Sequence, residues 1–224
     1  MIKAAQVAIE QHRSLRSGTT LSRSRTIETP AGILVMQDFC SPAFVESLRA
    51  ENGLRAFARR PEREHQLLVG IARRPDSALV LAHTLSGEIV AEVTVAPADD
   101  WWDSIEQVYE VAIQVSSGWR RLGIARQLLD FALELDALEE IILLAMGLSW
   151  HWDMEGLGLS RFQYRQLIAQ LFGRQGFAEY LTSEPNICMD PANILLARIG
   201  SHVKQEAMND FFNSLLRSQT LPGL

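Results

Sequence analysis

A chain of 224 residues can hold one domain with a modest extension and bury a substantial core. Its apolar share of 47% and charged share of 21% are those of a globular protein, and its net charge of −6 argues against a dedicated nucleic-acid binder. No apolar run approaches the roughly 20 residues of a membrane span, and Cys40 and Cys188 have neither metal-ligand spacing nor a disulfide framework. The expectation is a cytoplasmic protein with no metal, no membrane and no nucleic acid among its partners.

Residues 1–27 are rich in Ser, Thr and Arg, with Lys3, Arg13, Arg16, Arg23 and Arg25 against a single acid, Glu10. An organellar transit peptide has a similar composition, but nothing else points to an organelle. The segment reads as a poorly ordered leader or peripheral helix ahead of a domain over 28–224. Ile33 to Met36 predicts a first strand. Pro42 opens a helix to about Ala50, and a second helix covers Glu62 to Ala72. Ala78 to Ala82 is an apolar strand run, Ser86-Gly87 fits a hairpin turn, and Glu88 to Val95 alternates as a strand does. A loop over Asp99 to Asp103, with Trp101 and Trp102, precedes a β-branched strand from Val108 to Val115. From Leu122 to Leu138, residues Ala125, Leu128, Leu129, Ala132 and Leu135 form one helical face.

Ile141 to Met146 predicts a buried strand, followed by Ser149-Trp150-His151-Trp152-Asp153 and a Gly-rich loop through Gly158. A helix from about Ser160 to Phe172 ends at Gly173-Arg174-Gln175-Gly176, and Phe177 opens another strand. Pro185 and Pro191 bracket a loop, Ile194 to Ile199 gives a last strand, and Val203 to Leu216 a terminal helix. The order β-α-α-β-β-β-α-β-α-β-β-α is that of an α+β fold around one central mixed sheet.

The stretch Arg120-Arg121-Leu122-Gly123-Ile124-Ala125 joins the Val108–Val115 strand to the next helix. A strand, a short Gly-containing turn and a helix start leave unpaired N–H groups around one concavity. The helix dipole adds partial positive charge at the same point. Such a turn can cradle a phosphate or pyrophosphate. Arg120 and Arg126 would add charge-assisted contacts, and the small residues at 123 and 125 would admit the ligand. Taken alone, the same six residues also describe a helix start with a solvated basic edge.

The spacing resembles the Arg/Gln-x-x-Gly-x-Gly/Ala signature of the GNAT acyl-CoA-dependent N-acetyltransferases, and the element order is similar to the GNAT fold over 30–200. Several further segments resemble the acetoin-utilisation acetyltransferases: Glu62-Arg63-Glu64-His65, Trp150-His151-Trp152-Asp153, Tyr164-Arg165, Glu184-Pro185, Pro191-Ala192-Asn193 and Ala197-Arg198-Ile199-Gly200. That resemblance spans 28–215. This bacterial GNAT family acetylates a lysine of acetyl-CoA synthetase and switches it off. The resemblance therefore implies acetyl-CoA as co-substrate and acetyl-CoA synthetase as protein partner; the sequence sets no oligomeric state.

It also implies roles for individual residues. In the GNAT fold the strand before the signature splays from its neighbour and its backbone pairs with pantetheine, a role that falls on Ile113, Gln114 and Val115. The pyrophosphate falls on Arg120, Arg121, Leu122, Gly123, Ile124, Ala125 and Arg126. A carboxylate on the splayed strand often takes the amine proton, and Glu110 lies near that position, with an expected β-bulge leaving its register open by one residue. The family's usual Tyr acid is replaced by Phe172, which has no proton to give; Tyr164, Tyr180 or water would then serve the leaving thiolate.

Other residues keep two readings. Glu62 and Glu64 form a solvated helix face or line the acceptor groove, where carboxylates would attract a lysine ammonium. His151 and Asp153 pack and satisfy hydrogen bonds or face the substrate, and no third ligand at suitable spacing completes a metal site. The terminal helix, with Met208, Phe211, Phe212 and Leu215 at helical spacing, packs on the sheet or docks the synthetase. The leading function is acetylation of a synthetase lysine. Acetylation of a small amine, and stoichiometric regulation without turnover, are the alternatives.

Overall fold

The computed structural model describes residues 22–98 and 100–217. Its nine strands form a mixed sheet flanked by helices, the α+β class expected. The chain divides into two compact units: one runs up to Pro97 and includes Glu110–Leu138, and the other comprises Ala98–Tyr109 and Glu139 onward.

In the first unit β1 (Ser24–Thr29) and β2 (Gly32–Gln37) make an antiparallel hairpin, with Thr26 opposite Val35. β2 pairs with β4 (Ala78–Thr84), and β4 with β5 (Glu88–Pro97), both antiparallel. The turn between β4 and β5 contains Gly87 at φ 83°, the left-handed residue a tight hairpin needs. A two-residue β3 (Arg49–Ala50) runs parallel to β5, which makes the sheet mixed. Next to β5 in the strand order comes β6 (Val108–Val115).

Helix α1 (Pro42–Ser47) starts at Ser41, whose hydroxyl accepts from Phe44 N–H at 3.2 Å, with proline in the first turn. It stops short of Ala50 because Arg49 N–H donates to Gly87 O and Glu51 N–H to Ile89 O, pulling the chain into the sheet. Helix α2 (Pro61–Arg73) buries Leu68, Val69 and Ala72 against Leu79, Leu81 and Ile89 of the sheet, with Val45 and Leu54 completing the cluster. Each such leucine contributes about 1.5–3 kcal/mol by leaving water. Helix α3 (Ile124–Leu133) follows β6.

The segment expected as a leader is corrected from Ser22 onward, since residues 24–29 are a sheet strand. Arg23 holds it in place. Its Nε donates to Asp38 Oδ2 at 2.6 Å, its Nη2 to Phe131 O at 3.0 Å, and its guanidinium lies 4.8 Å from the Phe131 ring centre. Arg25 adds an ion pair to Glu134 at 2.9 Å. Residues 1–21, the rest of the expected leader, lie outside the described residues.

In the second unit β7 (Ile142–Gly147) pairs antiparallel with β9 (Ile194–Ile199), and β9 with β8 (Ala178–Tyr180). Helices α4 (Met154–Leu157), α5 (Arg161–Gly173), α6 (Pro185–Cys188) and α7 (Gln205–Leu215) surround them. The terminal helix packs: Phe211 and Leu215 are buried with Trp102, Ile142, Leu144, Leu195 and Ala197. The Phe211 ring lies 5.7 Å from Trp102, while Phe212 on the same helix is exposed. The loop expected between Pro185 and Pro191 contains α6, because Glu184 caps it through Ile187 N–H at 2.7 Å and Pro185 opens its first turn.

Candidate active site

The end of β6 and the turn after it are built from backbone. Ser116 N–H donates to Val90 O at 2.8 Å, and a short 3-10 turn over Ser117–Trp119 follows. Arg120 is extended, and its Nε donates back to Val115 O at 3.2 Å. Arg121 (φ 64°) and Gly123 (φ 75°) are both left-handed, a conformation that only glycine takes without strain. Helix α3 begins at Ile124 with Gly123 as its N-cap, so the capping position supplies no side chain to the first N–H groups. The N–H groups of Ile124, Ala125 and Arg126, together with the positive end of the helix dipole, form an anion-binding start. A Cβ on Gly123 would meet nothing nearer than Gln127 Nε2 at 3.8 Å, so the protein leaves the space above it open. Arg121 and Arg126 are exposed and Leu122 is half-buried.

On β6, Glu110, Ile113 and Val115 are half-buried and Gln114 is buried. Val108 is buried where β6 begins; beyond it the buried positions are Tyr109 and Val111, then Gln114 and Ser116, so the alternation slips by one residue between 111 and 114, as at a β-bulge.

Gln114 faces inward, and its Oε1 accepts from Arg55 N–H at 2.7 Å and Ala56 N–H at 2.6 Å. The next two N–H groups, of Phe57 and Ala58, donate to Glu64 Oε1 at 2.7 and 3.0 Å. Four consecutive amides, 55–58, are thus held by one carboxamide and one carboxylate. Glu64 is fully buried, which corrects its reading as part of a solvated face; Glu62, two residues earlier, is exposed. The carboxylate turned inward because these amides need acceptors away from water. Gln114 Nε2 in turn donates to Glu92 Oε1 at 3.3 Å, and Glu92 is also fully buried. Burial and the charge of Glu64 push the Glu92 carboxyl up to about 8. Sequence reading missed Glu92. The signal was a carboxylate in a strand flanked by the wholly apolar run of β4, where both faces of a central strand are covered.

In the second unit the Trp-His-Trp-Asp segment is a structured corner. Ser149 N–H donates to Asn193 Oδ1 at 2.8 Å, and Ser149 Oγ to Asp190 Oδ2 at 3.0 Å. Asn193 Nδ2 donates to Asn186 O at 2.7 Å, and Arg161 pairs with Asp190 at 2.7 Å. Asp153 caps α4 through Gly156 N–H at 3.0 Å. Trp152 stacks on Tyr164, with ring centres 5.0 Å apart and planes within 5°. His151 is half-buried beside Trp150. Phe172 is buried with its ring edge-on to Phe177 at 5.0 Å, and Tyr180 packs edge-on to Phe211. Among the described residues no three His, Cys, Asp or Glu side chains converge as a metal site would require. No helix among them is long and apolar enough to cross a membrane.

Comparison with known proteins gives three findings. The Acetyltransferase (GNAT) family matches residues 42–148, from α1 through the anion-binding turn to the end of β7. The chain is 31% identical to the acetoin utilization protein AcuA of Bacillus subtilis over 193 residues, 84% of this chain and 91% of that one. Among solved structures, the acetoin utilization protein from Exiguobacterium sibiricum superposes with a TM-score of 0.84 at 30% identity, over 89% of this chain and 97% of that one.

Proposed function

The chain belongs to the GNAT acetyltransferases and, within them, to the AcuA acetoin utilization family, so it is an acetyl-CoA-dependent N-acetyltransferase. From that premise we propose that its acceptor is the ε-amine of a lysine on acetyl-CoA synthetase, and that acetylation switches the synthetase off in the cytoplasm. The likeness to AcuA over most of both chains supports this acceptor. The single observation that carries the co-substrate site is the start of α3, where left-handed Arg121 and Gly123 present N–H groups beneath an open space.

The residues fit acetyl-CoA as follows. The N–H groups of 123–126, with Arg120, Arg121 and Arg126, would hold the pyrophosphate, and the backbone of Ile113–Val115 would pair with pantetheine. When bound, acetyl-CoA supplies an activated thioester carbonyl. Glu110 would take the proton from the lysine ammonium, freeing the nitrogen to form the amide bond as the C–S bond breaks. Strand N–H groups would stabilise the oxyanion between these events. Phe172 cannot return a proton to the thiolate, which leaves Tyr164, Tyr180 or water for that task. Exposed Glu62 can draw a lysine-bearing segment electrostatically, whereas buried Glu64 meets no acceptor and belongs to the scaffold.

Incubation with acetyl-CoA and the synthetase of the same organism, followed by mass spectrometry and a synthetase assay, tests this reading. The expected result is one acetylated lysine and loss of synthetase activity. Robust acetylation of free lysine or a polyamine, with the synthetase untouched, would move the acceptor to small amines. Inhibition without acetylation would make the protein a stoichiometric regulator.

A further inference from the structure

Besides Asp38, which pairs with Arg23, two carboxylates of the first unit are completely buried, Glu64 on α2 and Glu92 on β5. Each uses its Oε1, Glu64 for the amides of 57 and 58 and Glu92 for the Gln114 carboxamide. Each also has a buried Oε2 with no hydrogen-bond partner. Gln114 and segment 55–58 link them: Gln114, which donates to Glu92, accepts from the amides of 55 and 56, and Glu64 accepts from those of 57 and 58. Among the described residues no cation is bonded to either carboxylate, and Arg55 of the adjoining segment is exposed, its Nε donating to Asn52 O. β4 places Leu81 opposite Glu92 and, further along, His83, whose Nδ1 is bonded to Thr84 O and whose Nε2 is buried without a partner. From α2, His65 Nε2 is bonded to Val45 O, and β6 offers the neutral Gln114. α3, which also packs on β5, carries exposed Arg126 and half-buried Asp130. Glu51 is engaged with Gly53 N–H at 2.8 Å and with the Ser116 hydroxyl. A bare negative charge on Glu92, sealed from water with one neutral donor, is costly, whereas a proton on Glu92 removes it.

We propose that Glu92 carries a proton in the fold, and that with Glu64 it forms a positioning device that seats segment 51–58 on the end of the acetyl-CoA strand through Gln114. The segment grips that strand end at three places. Glu51 bonds Ser116, Gln114 takes the amides of 55 and 56, and Gly53 lies so close that a Cβ there would overlap both Ser116 Oγ and Ser117 Oγ. Loss of the proton sets two carboxylates against each other. Glu64 is the anchor of amides 57 and 58, so the repulsion is transmitted to the segment and then to residues 114–117, immediately before the anion-binding turn. The proposal rests on the acetyl-CoA site assigned above to Ile113–Val115 and the turn.

The test compares the wild type with Glu92→Gln, whose amide oxygen still accepts from Gln114 but which cannot titrate. Acetyl-CoA affinity is measured by calorimetry at pH 7 and pH 9.5, on either side of the value of about 8 for Glu92. The wild type is expected to bind about fivefold more weakly, or worse, at the higher pH, and the variant to bind equally at both. Infrared difference spectra between the two proteins at pH 7 should show the carbonyl band of one protonated carboxyl, present only in the wild type. Absence of that band, or a variant that keeps the wild-type pH dependence, overturns the proposal. If the wild type binds no acetyl-CoA at either pH, the assigned function fails instead, and the infrared band alone decides whether Glu92 carries the proton.

Discussion

In the first unit the carboxyl groups of Glu64 and Glu92 are sealed among apolar side chains; in the second, Glu139 and Asp190 stay at the rim of the fold. The Ser201 N–H and the Arg198 guanidinium hold the Glu139 carboxyl below its usual range, and the Ala192 N–H with Arg161 does the same for Asp190. Burial drives Glu92 the opposite way. The signs follow by linkage. Glu139 and Asp190 contribute stability above the ordinary carboxylate range, which is lost as pH falls through their lowered values. Glu92 contributes stability that is complete at low pH and is lost as pH rises through about 8. The same side-chain chemistry thus makes a staple where a guanidinium reaches the carboxyl, as at Asp190 and the buried Asp38, and a proton-dependent lock at Glu92, where none among the described residues does.

The largest expected effect tests the sealed side of that contrast. Between the ordinary 4.5 and about 8, folded Glu92 retains a proton that the unfolded chain releases. This one group should therefore lower stability by about 1.4 kcal/mol per pH unit across the window. Urea unfolding of the wild type and Glu92→Gln at pH 5, 6.5 and 8 should show the variant's slope flatter by that amount. Equal slopes would mean that Glu92 is ionised in the fold. Next comes the staple side. Asn193→Ala orphans the buried Ser149 N–H and the Asn186 carbonyl, and should cost about 3 kcal/mol in thermal unfolding with acetyl-CoA affinity unchanged. A loss of affinity as large as the loss of stability would erase the division of labour between the units.

Glu110→Gln should lower turnover by about 10²-fold, or about 2.7 kcal/mol, with acetyl-CoA binding intact. Near-normal turnover between pH 7 and 9 would give the base role to a neighbouring carboxylate or to water. The smallest effect concerns the turn itself. Gly123→Asp puts a Cβ and a negative charge where the N–H groups gather, and should weaken acetyl-CoA binding about tenfold, or about 1.4 kcal/mol. Unchanged affinity by calorimetry would remove the turn from the site.

The hairpin at Ser86-Gly87, β6, the turn from Arg120 to Gly123 and the β7 and β9 strands were legible because period-2 runs and a glycine mark them directly. Strand β1 was not: in Ser-Arg-Thr-Ile-Glu-Thr only Ile27 is buried, too little apolar pattern to distinguish an edge strand from a leader. Helix α3 ends at Leu133 and not at Leu138; Leu135 and, in the 3-10 stretch Asp136–Glu140, Leu138 are buried three residues apart, which mimics a continued helical pattern. Glu92 was hidden for a related reason. In Glu88 to Val95 it falls at a position an alternating strand would give to water, yet β5 is covered on both faces. Glu64 had the opposite disguise, placed beside exposed Glu62 in a polar first turn. What turns it inward is the demand of the 57 and 58 amides, which no helical periodicity encodes.

Arg23 joins residues far apart in the chain, its guanidinium reaching a carbonyl 108 positions later. During synthesis β1 and β2 emerge long before Phe131 and Glu134 exist to receive Arg23 and Arg25. The edge of the sheet must therefore wait, unfastened, until α3 has been made, and closing so long a loop is slow compared with forming the local hairpin. That interval is when the polar sequence of β1 matters most. Five of its six side chains stay outside the core, so the waiting edge offers a neighbouring nascent chain little apolar surface to pair with.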